Sequence, residues 1–317
     1  MRRWLGRYSV YGAFWTRFMH WGAASSPRFL VPVYVLGYCL LFFLACAPPR
    51  RAVLSNLQRL FPHLSAPARW WRCWRVFWQF SCVQADAATA QLGEPMFAWE
   101  VHGLEHLDHM RHHPGGVILI TAHMGNYDVA ARAFAGRFGR RVNAVRAPER
   151  NAETQAYLNR QREDQSHPEF AIHYNLSDRL LGMRLLQLLQ DGEVVAIQGD
   201  RVLFDVSPIR IDCAPPDQPG GDLEWNLPKG PLVLASMARA PLYPVFITRS
   251  GWHRYRIDFE PPFECKTRRN HREQDLEDCV RQWSHRLFRR VYKDWDQWFV
   301  FEPALQTREP RSPAGEP

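Results

Sequence analysis

His123 and Asp128 stand where an apolar run, Gly116-Val-Ile-Leu-Ile-Thr-Ala-His-Met-Gly-Asn-Tyr-Asp, ends and a helical pattern begins. A histidine placed there can present a general base at the mouth of a sheet, with a carboxylate beside it to orient the imidazole. Its neutral form is available at physiological pH, because an unperturbed imidazole titrates near about 6.5. The spacing alone decides nothing: His-x4-Asp also occurs at His173/Asp178 and His253/Asp258.

Context separates the three pairs. In Trp252-His-Arg-Tyr-Arg-Ile-Asp-Phe, apolar and charged residues alternate as in a strand. An odd offset in a strand points His253 and Asp258 to opposite faces, so they do not cooperate. His173 and Asp178 precede the helical pattern Arg179–Gln190. Ser177 suits its N-cap, and Asp178 suits the positive end of its dipole. Val117–Ile120 is different, an uninterrupted apolar run of the kind covered on both faces of a sheet. Gly125-Asn126 then lets the chain turn sharply, and a helix follows from Tyr127. His123 therefore sits at the carboxyl end of a strand, where open α/β sheets bind ligands. The plainer alternative is a strand-end histidine satisfied by a carboxylate, with Asp128 capping the helix.

The elements that must position this pair alternate along the chain beyond residue 90. Strands are expected at Val117–Ala122, Arg141–Arg146, Phe170–Tyr174, Val194–Gly199, Leu242–Thr248 and Tyr255–Phe259. Helices are expected at Tyr127–Phe138, Ala152–Gln165, Asp178–Gln190, Gly230–Arg239 and Glu273–Lys293. That interleaving predicts an α/β fold with a mixed, mainly parallel sheet flanked by helices. Asp205–Pro228, rich in proline and glycine, reads as a long irregular loop, and residues 304–317 as a disordered tail.

Ahead of this domain, Phe29–Ala47 carries no charge and is bracketed by Arg28 and Arg50-Arg51. A spanning helix needs roughly 20 apolar residues, so the run just reaches that length, while Pro32 and Gly37 leave room for a bent, half-inserted helix. Residues 1–50 are thus expected to anchor the chain in a membrane, with 51–303 forming the catalytic domain. Trp71, Trp74 and Trp78 share one helical face, with Arg69, Arg72 and Arg75 interleaved. That mixture suits the headgroup zone, although the same spacing serves a core-facing stripe.

The 317 residues carry a formal net charge of +8, which favours anionic membrane lipids or an acidic carrier protein as partners. No nucleic-acid motif accompanies the charge. Seven cysteines without a Cys-x-x-Cys read as reduced thiols, and no metal-ligand spacing appears.

Several blocks now stand in order: Asn56-Leu-Gln-Arg-Leu-Phe-Pro, Val101-His-Gly-Leu-Glu-His-Leu, His123–Asp128, Gln198-Gly-Asp, Pro228-Lys-Gly-Pro, Pro244 and Asp296-Gln-Trp-Phe-Val-Phe. With the apolar N-terminus, they resemble the bacterial lipid A biosynthesis (lauroyl/myristoyl-type) acyltransferases, within the lysophospholipid acyltransferase superfamily. The resemblance covers most of the chain. It departs at Asp128 and Tyr127, where that branch commonly has Glu and Trp, and in the Asp205–Pro228 loop.

The resemblance implies an enzyme of the bacterial inner membrane with its catalytic domain on the cytoplasmic face. It would move a fatty acyl group from an acyl carrier protein thioester, or acyl-CoA, to a hydroxyl or amine of a lipid or glycolipid acceptor, with no other cofactor. His123 would be the base and Asp128 its partner. Gly125 and Asn126 offer backbone donors for the thioester oxyanion, Arg146 and Arg150 could bind a phosphate, and Asp200 could position the acceptor or pair with Arg201. A catalytically silent membrane scaffold of the same fold and a thioesterase or lipid hydrolase are the alternatives. No Gly-x-Ser-x-Gly nucleophile is present.

Overall fold

The computed structural model describes residues 13–91, 97–135, 137–148, 168–175, 180–202, 208–213, 223–266 and 272–307, with a few positions between 149 and 167. Four helices come first: α1 (Ala13–Ser25), α2 (Val31–Ala45), α3 (Ala47–Leu60) and α4 (Ala66–Gln91). The α/β region follows as β1 (Ala98–His102), α5 (Leu104–His112), β2 (Val117–Thr121), α6 (Tyr127–Ala135), β3 (Val142–Arg146), β4 (Phe170–Tyr174), α7 (Leu181–Gln190) and β5 (Val194–Gln198). Then come β6 (Pro208–Cys213), β7 (Leu223–Pro228), α8 (Gly230–Ala238), β8 (Leu242–Gly251), β9 (Arg254–Phe259), α9 (Arg272–Lys293) and β10 (Leu305–Thr307).

Seven strands form one sheet in the order β1-β9-β8-β2-β5-β3-β4. Every pairing in it is parallel except β8 with β9. The mixed, mainly parallel α/β sheet expected from the sequence is therefore present. β2 lies in its interior between β8 and β5, which is why Val117, Ile118 and Ile120 are wholly out of solvent. The same placement puts the ends of β2 and β5 side by side, with Thr121 opposite Gln198.

Two segments differ from expectation. Within Asp205–Pro228, β6 and β7 pair antiparallel, and β10 from the supposed tail pairs with β7. Exposed and covered positions alternate in β6, so it lacks the continuous apolar run that marks a fully buried strand. The expected helix Ala152–Gln165 and the N-cap at Ser177 fall on positions largely outside the described residues.

At the N-terminus, α2 and α3 meet at an 88° bend, and no single described helix is long and apolar enough to cross a membrane. By length and composition the bent pair together could. α2 buries Val35, Tyr38, Cys39 and Phe42 and turns Val33, Leu36, Leu40, Leu41 and Leu44 outward. The tryptophan stripe on α4 is split: Trp74 and Trp78 pack against the core, while Trp70 and Trp71 are exposed. Its arginines bind protein rather than standing free. Arg69 donates to Leu64 O, Arg72 lies over the rings of Phe61 and Trp295, and Arg75 pairs with Asp296 at 2.8 Å. The cysteines are also not all free thiols, since Cys265 and Cys279 form a disulfide joining the segment after β9 to α9.

Candidate active site

The turn carrying His123 is built from residues with little freedom to be anything else. Gly125 has φ +54°, and a Cβ there would stand 2.4 Å from Ile247 O, so the chain can pass β8 only as glycine. Asn126 caps α6 by accepting the Val129 N–H at 3.2 Å, and its Nδ2 donates to Val83 O on α4. From the other side the segment Gln297–Phe299 closes over the turn. Phe299 N donates to His123 O at 2.8 Å, and Gly125 N to Gln297 O at 3.3 Å.

His123 is buried, 8% exposed, and Asp200, just past the end of β5, is wholly buried. Nδ1 lies 2.7 Å from Asp200 Oδ1, and the His123 backbone N–H donates to Oδ2 at 2.9 Å. Trp298 Nε1 donates to the same Oδ2 at 3.0 Å. Trp225 and Trp283 donate to the backbone oxygens of Asp200 and Gly199 at 3.0 and 2.8 Å. Burial holds the His123 pKa below its ordinary value, against the opposing pull of Asp200. The Asp200 carboxyl is held below the usual carboxylate range: His123 and Trp298 outweigh the burial that would raise it. A carboxylate only accepts, so Nδ1 carries the proton in the neutral ring. Among the described residues nothing hydrogen-bonds Nε2.

Asp128 therefore does not orient His123 here; Asp200 does. Asp128 lies in the first turn of α6 and pairs with Arg146 at the end of β3. The local spacing places Asp128 near the histidine, but the carboxylate that meets Nδ1 comes from the adjacent parallel strand. Asp200 is accordingly taken up by His123 and not by Arg201, which makes no hydrogen bond or ion pair among the described residues. Of the two backbone donors expected, the Gly125 N–H is spent on Gln297 O, while at Asn126 it is the side chain that is engaged at both ends. Arg150 lies outside the described residues.

The other two pairs resolve separately. His173 Nε2 meets Asn143 Oδ1 at 2.9 Å. His253 occupies a positive-φ turn just before β9 and reaches Asp86 at 3.3 Å, while Asp258 binds Arg256 and Arg290.

An apolar cavity lies between α6 and the sheet, with about 740 Å³ of empty space counted out to its open mouth. Phe134, Phe138, Val142, Phe170, Val245 and Phe259 line its depth. Thr121, Tyr127, Asp128, Arg146 and Gln198, from the helix start and the strand ends, supply its polar lining. Tyr127 joins cavity to base, since its ring centroid lies 6.0 Å from that of His123. Trp298 and the tryptophans behind Asp200 were not read from the sequence; the sole signal was the Asp296–Phe301 block. Among the described residues no cluster of ligating side chains could hold a metal.

The site thus joins a carboxylate-oriented imidazole at the carboxyl end of an interior strand of a mainly parallel α/β sheet to a nearby apolar cavity with polar residues in its lining, an arrangement of the kind enzymes use. Residues 7–307 match the family described as bacterial lipid A biosynthesis acyltransferase, so the chain belongs to that family and is an acyltransferase. No curated protein matches the chain. Among solved structures it is similar to the 1-acyl-sn-glycerophosphate (LPA) acyltransferase PlsC from Thermotoga maritima, at 12% identity and a TM-score of 0.33. That match covers 86% of this chain and 96% of the other.

Proposed function

We propose that this protein transfers a fatty acyl group from a carrier thioester to a hydroxyl or amine of a lipid or glycolipid, with His123 as general base. The observation that carries the reading is the His123–Asp200 pair: Nδ1 is anchored at 2.7 Å, and Nε2 makes no hydrogen bond among the described residues, while the neighbouring Tyr127 ring lines an apolar cavity. Nε2 takes the proton of the acceptor as its oxygen or nitrogen attacks the thioester carbonyl carbon. The carbonyl π electrons move to oxygen, and the backbone N–H groups of Asn126 and Tyr127, at the start of α6, receive the oxyanion. Collapse re-forms the carbonyl and expels the thiolate, which takes the proton from the imidazolium. An ester or amide and a free thiol result, and no acyl-enzyme is formed. Asp200 keeps the imidazole in the Nδ1–H tautomer and stabilises its charged form.

The acyl chain occupies the cavity under α6, where burial of methylenes drives binding at about 0.8 kcal/mol each. Asp128 holds Arg146 at the mouth, and with Arg201 this arginine meets phosphate on the donor or acceptor. An acidic acyl carrier protein suits the net charge of +8 better than a small donor such as acyl-CoA. The outward face of α2, with the exposed Trp21, Phe29, Trp70 and Trp71, rests in one leaflet, as apolar surface of that kind marks membrane contact. Because carrier thioesters are cytoplasmic, the domain faces the cytoplasm at the inner membrane.

The test incubates membranes containing wild type or His123→Ala with labelled acyl-carrier thioester and native lipids. Label entering a lipid only with wild type supports the reading and identifies the acceptor. Free fatty acid as the sole His123-dependent product would make the protein a thioesterase, and equal transfer by both proteins would overturn the mechanism.

A further inference from the structure

We propose that Trp298 is a positioning residue of the acyl-transfer site, its indole N–H fixing the Asp200 carboxylate that in turn fixes His123. The proposal rests on the reading of His123 and Asp200 given above. Asp200 accepts three hydrogen bonds on its carboxylate, and two of them come from His123 itself, Nδ1 to Oδ1 and the backbone N–H to Oδ2. Those two alone tie the carboxylate to the residue it must orient, so neither supplies an independent reference. The third donor, Trp298 Nε1 at 3.0 Å from Oδ2, comes from a segment 98 residues further along the chain.

The same segment holds the turn. Met124 and Trp298 form an antiparallel bridge, with Phe299 N on His123 O and Gly125 N on Gln297 O. One short strap thus sets both the backbone from which the imidazole projects and the carboxylate that orients it. The indole is 4% exposed and packs edge-on against Trp225, with centroids 5.2 Å apart, so its N–H has one fixed direction. A phenylalanine fills most of that volume and offers no donor. Trp225 makes a useful contrast, because its N–H goes to the Asp200 backbone oxygen and has no hold on the carboxylate.

The test is a double-mutant cycle on the full-length, membrane-embedded enzyme: Trp298→Phe, Asp200→Asn and the pair, assayed with labelled acyl-carrier thioester. Trp298→Phe is expected to lower kcat roughly ten- to hundredfold, the range for losing a hydrogen bond to a charged group, with KM changed less than twofold. In the Asp200→Asn background it should cost nothing further and recover some activity, because its effect passes through that side chain and the lost N–H is one of the two donors an inverted amide would leave unpaired. The acid limb of the kcat/KM profile should also move to higher pH, since a carboxylate no longer sharing its charge with the indole favours the imidazolium more. Arg201 and Glu302 are the other charged groups felt at His123, and neither changes. If Trp298→Phe fails to fold, benzothienylalanine at position 298 replaces the N–H with sulfur and keeps the ring. Wild-type kcat and an unmoved acid limb would overturn the proposal, as would full additivity with Asp200→Asn. His123→Ala run alongside separates the two ideas: inactive His123→Ala with wild-type Trp298→Phe sinks only the role of Trp298, and active His123→Ala sinks both.

Discussion

Replacing Asp200 by asparagine is nearly isosteric, yet its consequence follows from the hydrogen bonds the carboxylate accepts. Oδ2 faces two fixed donors, the His123 backbone N–H and Trp298 Nε1. An amide satisfies both only by placing its oxygen there, which points its NH2 at Nδ1. Nδ1 must then accept, the ring proton moves to Nε2, and the nitrogen that should take a proton already carries one. Turning the amide over restores the tautomer and leaves two buried donors facing an NH2. At about 1–3 kcal/mol for each unsatisfied group, that alternative lies roughly 2–6 kcal/mol higher. The competent fraction is then roughly 1 in 30 to 1 in 20,000, since about 1.4 kcal/mol is a factor of ten. Acyl transfer by Asp200→Asn should fall by about that range, with KM for the thioester little changed and the protein still folded. Single-turnover transfer from labelled acyl-carrier thioester in native membranes measures it, with Asp128→Asn in parallel. Asp200→Asn within threefold of wild type, beside a hundredfold or greater loss in Asp128→Asn, would refute the reasoning and return the orienting role to Asp128.

Five further outcomes are expected. Burial holds the His123 pKa below 6.5, so the acid limb of kcat/KM should lie below pH 6.5, and a limb above pH 7 would contradict it. Both members of the pair have lowered folded-state values, so the unfolded chain binds more protons than the native one. Stability should therefore fall as pH drops through 6.5, where burial also lowers His20 and His253, and denaturant midpoints at several pH values would show it. Gly125→Ala meets a backbone oxygen at 2.4 Å with φ +54°, so it should lose about 1–3 kcal/mol or more, and most of its activity. Gly37→Ala, with nothing within 4 Å of the new Cβ, should be neutral to stabilising in the same denaturation assay. Removing the Cys265–Cys279 link by serine substitution should cost about 3 kcal/mol, as expected for closing a loop of that size, and equal midpoints with and without reductant would show that the link is not formed.

What the sequence disclosed was governed by locality. The runs at Val117–Ile120, Val194–Ile197 and Leu242–Thr248 are strands because each is apolar enough to be covered on both faces, and the sheet forms from them. His123 at the end of one such run could be read for the same reason. Its partner could not. Asp128 is close in sequence but is turned by the capped start of α6 toward Arg146, whereas Asp200 is 77 residues away and arrives only through the pairing of β2 with β5. Trp298 reaches the site from beyond α9, and no local pattern connects it to a carboxylate. The arginines of α4 were open to two readings for a related reason, because interleaved Trp and Arg suit a headgroup zone and a set of protein rings and carboxylates equally well.

The central claim is that His123, held by Asp200, takes the acceptor's proton during acyl transfer. Its most direct test is the single-turnover rate of acyl transfer by His123→Ala in native membranes, at saturating acyl-carrier thioester. General-base catalysis contributes about 10²–10⁴, and a loss of that size or more is predicted, with thioester binding retained. Transfer to lipid at the wild-type rate would contradict the account.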